Sequence, residues 1–354
     1  MNILLISPKV EHPSGGIAIW TEHYLTGCKN IENFSCDLVN VAMKGRRAVC
    51  ATAKRSLKDE LLRTYGINKQ LNERLKHGIY DLAHLNTSVG TFGIIRDYII
   101  ACKIAKKGIP VVLHFHCDIP EWCTNHVTKY FLRRILKFSK TNFVLCENSR
   151  QYLYNVFDAE SMKIPNFVDE DLIAASKLIH EHIRKVIFVG RVSRDKGAVE
   201  IFEVAKHFSN ITFILVGEVG EEISSLECPD NVVFAGVIER ETVTAYLDDA
   251  DVFLFPSHTE GFSLALAEAM ARGLPVIATD VGANAEMLEN KGGIVVPVGD
   301  VTAMEAALSQ LNEPDVRKKM SLWNMSKVKE QYETKRVMQI LVQLYKKVME
   351  EGKK

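Results

Sequence analysis

Residues 250–300 read ADVFLFPSHTEGFSLALAEAMARGLPVIATDVGANAEMLENKGGIVVPVGD. Val252, Phe253, Leu254 and Phe255 form a short apolar run closed by Pro256, the pattern of a buried strand. A polar loop follows, from Ser257 through His258, Thr259 and Glu260 to Gly261. Ser263 is placed to cap a helix whose i, i+3, i+4 and i+7 positions are Leu264, Ala267, Glu268 and Ala271. Gly273 ends that helix, residues 274–278 read as the next strand, and Gly282 opens another turn into helix. Strand, loop and helix in repetition imply a parallel α/β sheet.

Two carboxylates make the stretch more than scaffold. Glu260 sits in the loop after a strand, where open α/β sheets bind ligands. Glu268 lies eight residues on, at or near the apolar face of the helix. A carboxylate is costly to bury unless a donor binds it, and sugar or ribose hydroxyls are suitable donors. The plainer reading is a loop glutamate and a helix-surface glutamate, and the flanking glycines weigh against it.

These residues resemble the Glu-x7-Glu signature of retaining glycosyltransferase family 4: Glu260-Gly-Phe-Ser-Leu-Ala-Leu-Ala-Glu268, followed by Ala-Met-Ala-Arg-Gly-Leu-Pro-Val-Ile-Ala. The likeness runs on through Gly282, Gly292, Gly293, Pro297 and Asp300. It implies the GT-B fold, with two facing Rossmann-like, doubly wound parallel-sheet domains and a cleft between them. The domains expected are 1–168 with a C-terminal helix over 331–351, binding the acceptor, and 169–330, binding a nucleotide-sugar donor.

Composition agrees with a two-domain globular chain: 354 residues, 47% hydrophobic and 25% charged. Net charge is zero, which implies no general attraction to nucleic acid. The charge is unevenly spread, with 23 Lys and Arg against 16 Asp and Glu up to Glu170, leaving 21 against 28 beyond it. The opening MNILLISPKV reads as strand, not signal peptide, and no apolar run reaches the ~18 residues of a membrane span. Eight cysteines without a Cys-x-x-Cys pair suggest neither a zinc site nor a disulfide framework. A reduced, cytoplasmic protein is expected, peripheral on the inner membrane face if its basic half meets anionic lipid.

Taken in order, residues 2–6 read as a strand, Pro13-Ser14-Gly15-Gly16 as a turn and 17–25 as a helix. Backbone N–H groups at such a turn approach anions, and the resemblance places Gly15 and Gly16 near donor phosphate or acceptor. Residues 34–43 read as a strand. Residues 44–76 then carry ten basic residues, Arg46, Arg47, Lys54, Arg55, Lys58 and Arg63 among them, against three acidic ones. Leu57, Leu61, Leu62, Leu71 and Leu75 add a broken apolar stripe. This is either a basic amphipathic face for anionic membrane or a solvated helix surface.

Strands are expected at 81–85, 110–115 and 142–146, the last closing the first sheet, and helices at 93–107 and 126–140. The helix at 126–140 is a second basic amphipathic element. The fourth strand ends in His114-Phe115-His116-Cys117-Asp118. The resemblance maps a histidine beside the donor sugar onto His116, with His114 on the same sheet face. Pro165-Asn166-Phe167-Val168-Asp169 resembles the family's domain-border segment, with Phe167 in place of the usual glycine. Residues 170–184 read as a linker.

Residues 185–189 and 198–208 read as strand and helix around Gly190-Arg191-Val-Ser-Arg194-Asp195-Lys196-Gly197. Two cations five residues apart, between a strand and a helix N-terminus, suit one diphosphate. The family's Gly-Arg-x4-Lys-Gly pattern matches here, which implies that Arg191 and Lys196 stabilise the leaving diphosphate. Strands are expected at 212–216 and 232–238, where the resemblance packs the base near Val237. Asp249-Ala250-Asp251 ends a helix and enters a strand, so it is not read as a metal motif. No metal or cofactor is expected, because Arg191 and Lys196 neutralise phosphate charge. Helices follow at 302–311, 314–329 and 331–349.

The activity implied is transfer of a hexose or N-acetylhexosamine from a nucleotide-sugar, UDP-linked first and GDP-mannose next. The acceptor is a carbohydrate or lipid-linked hydroxyl in cell-surface polysaccharide or glycolipid synthesis. Catalytic residues would be His116, Glu260, Arg191 and Lys196. Donor contacts would add Gly15, Gly16, Val237, Gly261, Phe262, Ser263 and Glu268. A GT-B epimerase and a non-catalytic nucleotide-sugar-binding subunit are the alternatives. A dinucleotide oxidoreductase is disfavoured, since no Gly-x-Gly-x-x-Gly follows a strand.

Overall fold

Ile3, Leu4, Leu5 and Ile6 are all fully buried, as a strand covered on both faces requires. They belong to β1 (Asn2–Ser7), and the computed structural model describes residues 1–10, 16–43 and 57–351 of the chain. The helix α1 (Gly16–Lys29) follows, then β2 (Ser35–Asn40), α2 (Leu57–His77), β3 (Leu82–Thr87) and α3 (Thr91–Ala105). β4 (Val111–Phe115), α4 (Ile119–Trp122), α5 (His126–Leu136), β5 (Ser139–Val144), α6 (Glu147–Phe157) and β6 (Met162–Lys163) complete a six-stranded sheet. Its order is β2-β1-β3-β4-β5-β6, and every pair is parallel. The order reverses between β1 and β3, so their C-terminal ends flank a topological switch point.

A second sheet follows with its own core. Its elements are β7 (Lys185–Val189), α7 (Ala198–His207), β8 (Thr212–Val216), α8 (Glu221–Ser224), β9 (Val232–Gly236), α9 (Arg240–Asp249) and β10 (Val252–Phe255). Then come α10 (Leu264–Ala271), β11 (Val276–Thr279), α11 (Asn284–Leu288), β12 (Gly293–Val296), α12 (Val301–Gln310) and α13 (Pro314–Gln331). The strands are parallel, in the order β12-β11-β10-β7-β8-β9. Relative to β7 as the first strand this is the Rossmann order, with its switch point between β7 and β10.

The last helix, α14 (Thr334–Glu351), packs on α1 of the first sheet. A Cβ on Gly27 would stand 2.8 Å from Met338 Cγ, and the Tyr24 and Tyr345 hydroxyls are 3.2 Å apart. The chain therefore divides into Met1–Asn166 with the residues from Thr334 onward, and Phe167–Glu333.

Several boundaries differ from the sequence expectation. The helix expected over 126–140 stops at Leu136, and Lys140 is an exposed residue of β5. Ser139 and Thr141 belong to that strand, so it runs Ser139–Val144 instead of 142–146. It does not close the sheet, because the two-residue β6 pairs beyond it. The second strand is Ser35–Asn40, shorter than 34–43 at both ends. Phe167 is fully buried and is not among the described residues with positive φ, so this border uses no glycine conformation. Residues 44–56, with Arg46, Arg47, Lys54 and Arg55, lie outside the described residues, as do Pro13, Ser14 and Gly15. In α2, Leu71 is buried while Leu61 and Leu62 are exposed, so the leucine stripe is split. Among the described residues no helix is long and apolar enough to cross a membrane.

Candidate active site

The second sheet's switch point is built from two loops. The first leaves β7 through Gly190 and Arg191 and tightens into one turn of 3-10 helix, Arg194–Lys196. Gly197 then takes φ +79° and starts α7. A Cβ there would lie 2.2 Å from Pro256 O, so a glycine is required for the two loops to meet. The second loop leaves β10 at Pro256, and His258 N donates to Asp195 O at 2.9 Å. His258 Nε2 also lies 2.7 Å from Glu200 Oε1.

This junction brings Lys196 and Glu260 together. Lys196 Nζ donates to Glu260 Oε1 at 2.7 Å and to Thr259 O at 3.2 Å. Ser257, fully buried, donates to the same carboxylate oxygen at 3.0 Å. Gly282, at φ +54°, closes the floor, since its Cβ would stand 2.5 Å from Glu260 O. Ser263 caps α10, accepting from Leu266 N at 3.2 Å, as its position before the apolar run implied. Phe262 is buried with its ring edge-on to Tyr332, which leaves backbone as what it and Ser263 present at this helix start.

Glu268 lies one turn further along α10 and is largely buried. Burial pushes its carboxyl above the usual carboxylate range, partly opposed by the guanidinium of Arg240. Arg240 Nη2 stands 3.3 Å from Glu268 Oε1, and its Nη1 stands 3.4 Å from Asp169 Oδ2. Neither Arg240 nor Asp169 was selected from the sequence as a site residue; each is one charge in an unremarkable context. Arg191 remains exposed, its Nε 4.0 Å from Glu218 Oε2. Val237 is 78% exposed just past the edge strand β9. Asp251, the second acid of the Asp-x-Asp run, is buried and accepts from the Arg184 and Lys185 N–H groups and His180.

His116 lies in the other unit, just past the end of β4. Its Nε2 is 3.0 Å from Asn86 Oδ1, and its ring meets Trp20 edge-on at 5.0 Å. His114 lies deeper, fully buried, with ring centroids 4.0 Å from those of His116. Burial first, and then the nearby His84, lower the His116 pKa to about 3, so the imidazole is neutral at physiological pH. His84 is likewise lowered to about 3 by burial. Gly16 is the exposed first residue of α1, with open space where a Cβ would be. No pattern in the sequence singled out Asn86, Ser7 or Thr21, which reach this cluster through the order of β1 and β3 and the packing of α1.

Residues 169–322 match the family model described as glycosyl transferases group 1, which lies within the second unit. A phosphatidyl-myo-inositol mannosyltransferase of Mycobacterium leprae is 24% identical over 267 residues, covering 72% of this chain and 71% of that protein. Matches to the first four curated relatives span between 57% and 71% of those proteins' own length. The solved sucrose-phosphate synthase of Thermosynechococcus elongatus superposes with a TM-score of 0.82 at 17% identity, covering 99% of both chains. Anabaena HepE, solved in complex with UDP and glucose, gives 0.74 at 16% identity, over 98% of this chain and 100% of that one. The architecture is GT-B, as the two parallel six-stranded sheets and these superpositions show.

Proposed function

We propose that this chain, whose residues 169–322 form a glycosyl transferases group 1 domain, is a retaining glycosyltransferase. It moves a hexose or N-acetylhexosamine from a nucleotide-sugar to an acceptor hydroxyl. The observation that carries the reading is the Lys196–Glu260 pair, 2.7 Å apart at the switch point of a Rossmann-ordered sheet. Bound diphosphate would draw Lys196 from Glu260 and free that carboxylate for sugar hydroxyls. Arg191 is exposed on the same loop and would grip the diphosphate from its own side. Glu268 would take the ribose hydroxyls, and Val237 would border the base.

The reaction breaks the bond between the sugar C1 and the β-phosphate oxygen and forms one between C1 and the acceptor oxygen. The acceptor proton passes to the departing phosphate oxygen, on the same face, and no covalent nucleophile is assigned. Arg191 and Lys196 stabilise the charge that builds on the leaving group, so no metal is required. His116, held neutral, would contact the sugar as a hydrogen-bonding group. A UDP-sugar is the first donor to test and GDP-mannose the second, since HepE is solved with UDP and the mycobacterial relative is named a mannosyltransferase. The acceptor is a carbohydrate or lipid-linked hydroxyl, approached from the cytoplasmic side.

Thermal melting with UDP, GDP, ADP and their sugar conjugates tests this, with Lys196→Ala beside the wild type. Saturating ligand at ~100 times its dissociation constant adds about 2.7 kcal/mol. The expected result is a rise with one nucleotide family, lost in Lys196→Ala, and a turnover rate about 100-fold lower. Wild-type transfer by Lys196→Ala would remove the diphosphate assignment.

A further inference from the structure

The side chains behind His116 form one continuous hydrogen-bonded line within the first unit. Its direction is set at one end. The Thr21 hydroxyl donates to Ile17 O at 2.8 Å, so it meets Ser7 Oγ only as an acceptor. Ser7 must then donate to Thr21, which leaves Ser7 Oγ to accept from Asn86 Nδ2 at 2.7 Å. With its amide nitrogen turned to Ser7, Asn86 presents Oδ1 to two histidines at once. His84 Nε2 is 3.1 Å from it and His116 Nε2 3.0 Å. An amide oxygen only accepts, so both rings carry their proton on Nε2. His84 Nδ1 is then an acceptor, and the Tyr345 hydroxyl of α14 donates to it. The Tyr24 hydroxyl stands 3.2 Å behind Tyr345.

We infer that Asn86, aligned by Thr21 and Ser7 on one side and by His84 and Tyr345 on the other, is a positioning residue that fixes His116 as its Nε2–H tautomer. His116 Nδ1 is therefore left as a bare acceptor nitrogen, buried and without a hydrogen-bond partner, with the Asn166 side chain beside the ring. An acceptor nitrogen suits a sugar hydroxyl and does not suit phosphate oxygen, which has no proton to give. His114 takes no part in the orientation, since neither of its buried ring nitrogens has a hydrogen-bond partner. Every member of the line except His116 is buried, which makes each bond direction costly to reverse. The catalytic consequence rests on the reading of His116 given above; the tautomer does not.

The test joins a spectroscopic and a kinetic readout on the full chain. Ring-nitrogen spectra of 15N-labelled protein, with His116 assigned through His116→Gln, report which nitrogen carries the proton. The wild type is expected to show Nε2 protonated and Nδ1 bare. Thr21→Val removes the bond to Ile17 O and frees Ser7 and Asn86 to reverse. It should give a mixed His116 signal and lower kcat about tenfold with little change in KM, the size of effect usual for groups that orient a ligand from behind. Thr21→Ser keeps the hydroxyl and should restore both. Turnover is read as nucleoside diphosphate released from the nucleotide-sugar that gives the thermal rise. Ser7→Ala breaks the line one link later and is read in the same way if Thr21→Val does not fold. A protonated Nδ1 in the wild type overturns the tautomer inference, and an unaltered spectrum in both variants overturns its control by Thr21 and Ser7. An inactive His116→Gln beside fully active Thr21→Val and Ser7→Ala overturns the positioning role. Full turnover by His116→Gln would instead remove the reading of His116 itself, with the tautomer judged by the spectra alone.

Discussion

At Glu268, burial and a neighbouring charge act in opposite directions on one carboxyl. Its carboxyl is pushed up by burial, more than Arg240 pulls it down. The folded protein therefore holds this proton more tightly than the unfolded chain. The resulting stability is fully present below the ordinary value of 4.5 and is lost as pH rises through the higher folded value. Glu268→Gln keeps the shape and removes the titration, and Asp169 still holds Arg240. Without nucleotide, the variant should gain melting temperature over the wild type as pH is raised from about 4 to 7, and its nucleotide-induced rise should shrink. Parallel melting curves against pH would show that the carboxyl is not strained. Lys196 and Glu260 could be singled out from spaced patterns within strand–loop–helix units, and the fold sets them side by side. Arg240, Asp169, Ser257 and Asn86 could not, since a lone polar residue takes its meaning from what the fold sets against it.

At the scale of elements, the buried strands were the readable part. Those at 185–189 and 212–216 fall where continuous apolar runs placed them. The two-residue β6 has too little pattern to announce itself, and the basic run through Lys140 hid the change from α5 to β5. The junction between the β7 and β10 loops also depends on backbone that composition does not reveal. Gly197→Ala would meet both a left-handed φ and the Pro256 carbonyl. It should cost more than about 1 kcal/mol and separate Lys196 from Glu260, abolishing the nucleotide-induced rise. Gly299 supplies the control, because its φ of +74° is similar and a Cβ there meets nothing within 4 Å. Gly299→Ala should lose some stability through strain and keep its nucleotide response. Equal loss of response in both variants would mean that the loop junction does not hold the site.

Across the whole molecule, charge and element order tell different stories. The two sheets each bury their own core, so the doubly wound class was legible from repeated strand–helix units. The surplus of positive charge falls in the first of them, and the described part of that surplus has a definite location. On and beside α5, Trp122 and Tyr130 are 53% and 54% exposed, among Lys129, Arg133, Arg134 and Lys137. Arg134 lies 5.3 Å from the Tyr130 ring centroid, and Arg133 lies 5.7 Å from that of Phe157. Lys129 and Lys137 are exposed with no described ion pair, so reversing them tests charge with little effect on packing. Each basic side chain at an anionic bilayer surface contributes about 1 kcal/mol, a force that salt screens. If this face meets membrane, the protein should float with vesicles containing phosphatidylglycerol at low salt and dissociate in ~0.5 M salt, where the Debye length falls well below 10 Å. Lys129→Glu with Lys137→Glu should weaken flotation at least about tenfold, with the nucleotide-induced thermal rise unchanged. Absence of flotation at low salt would make α5 a solvated face.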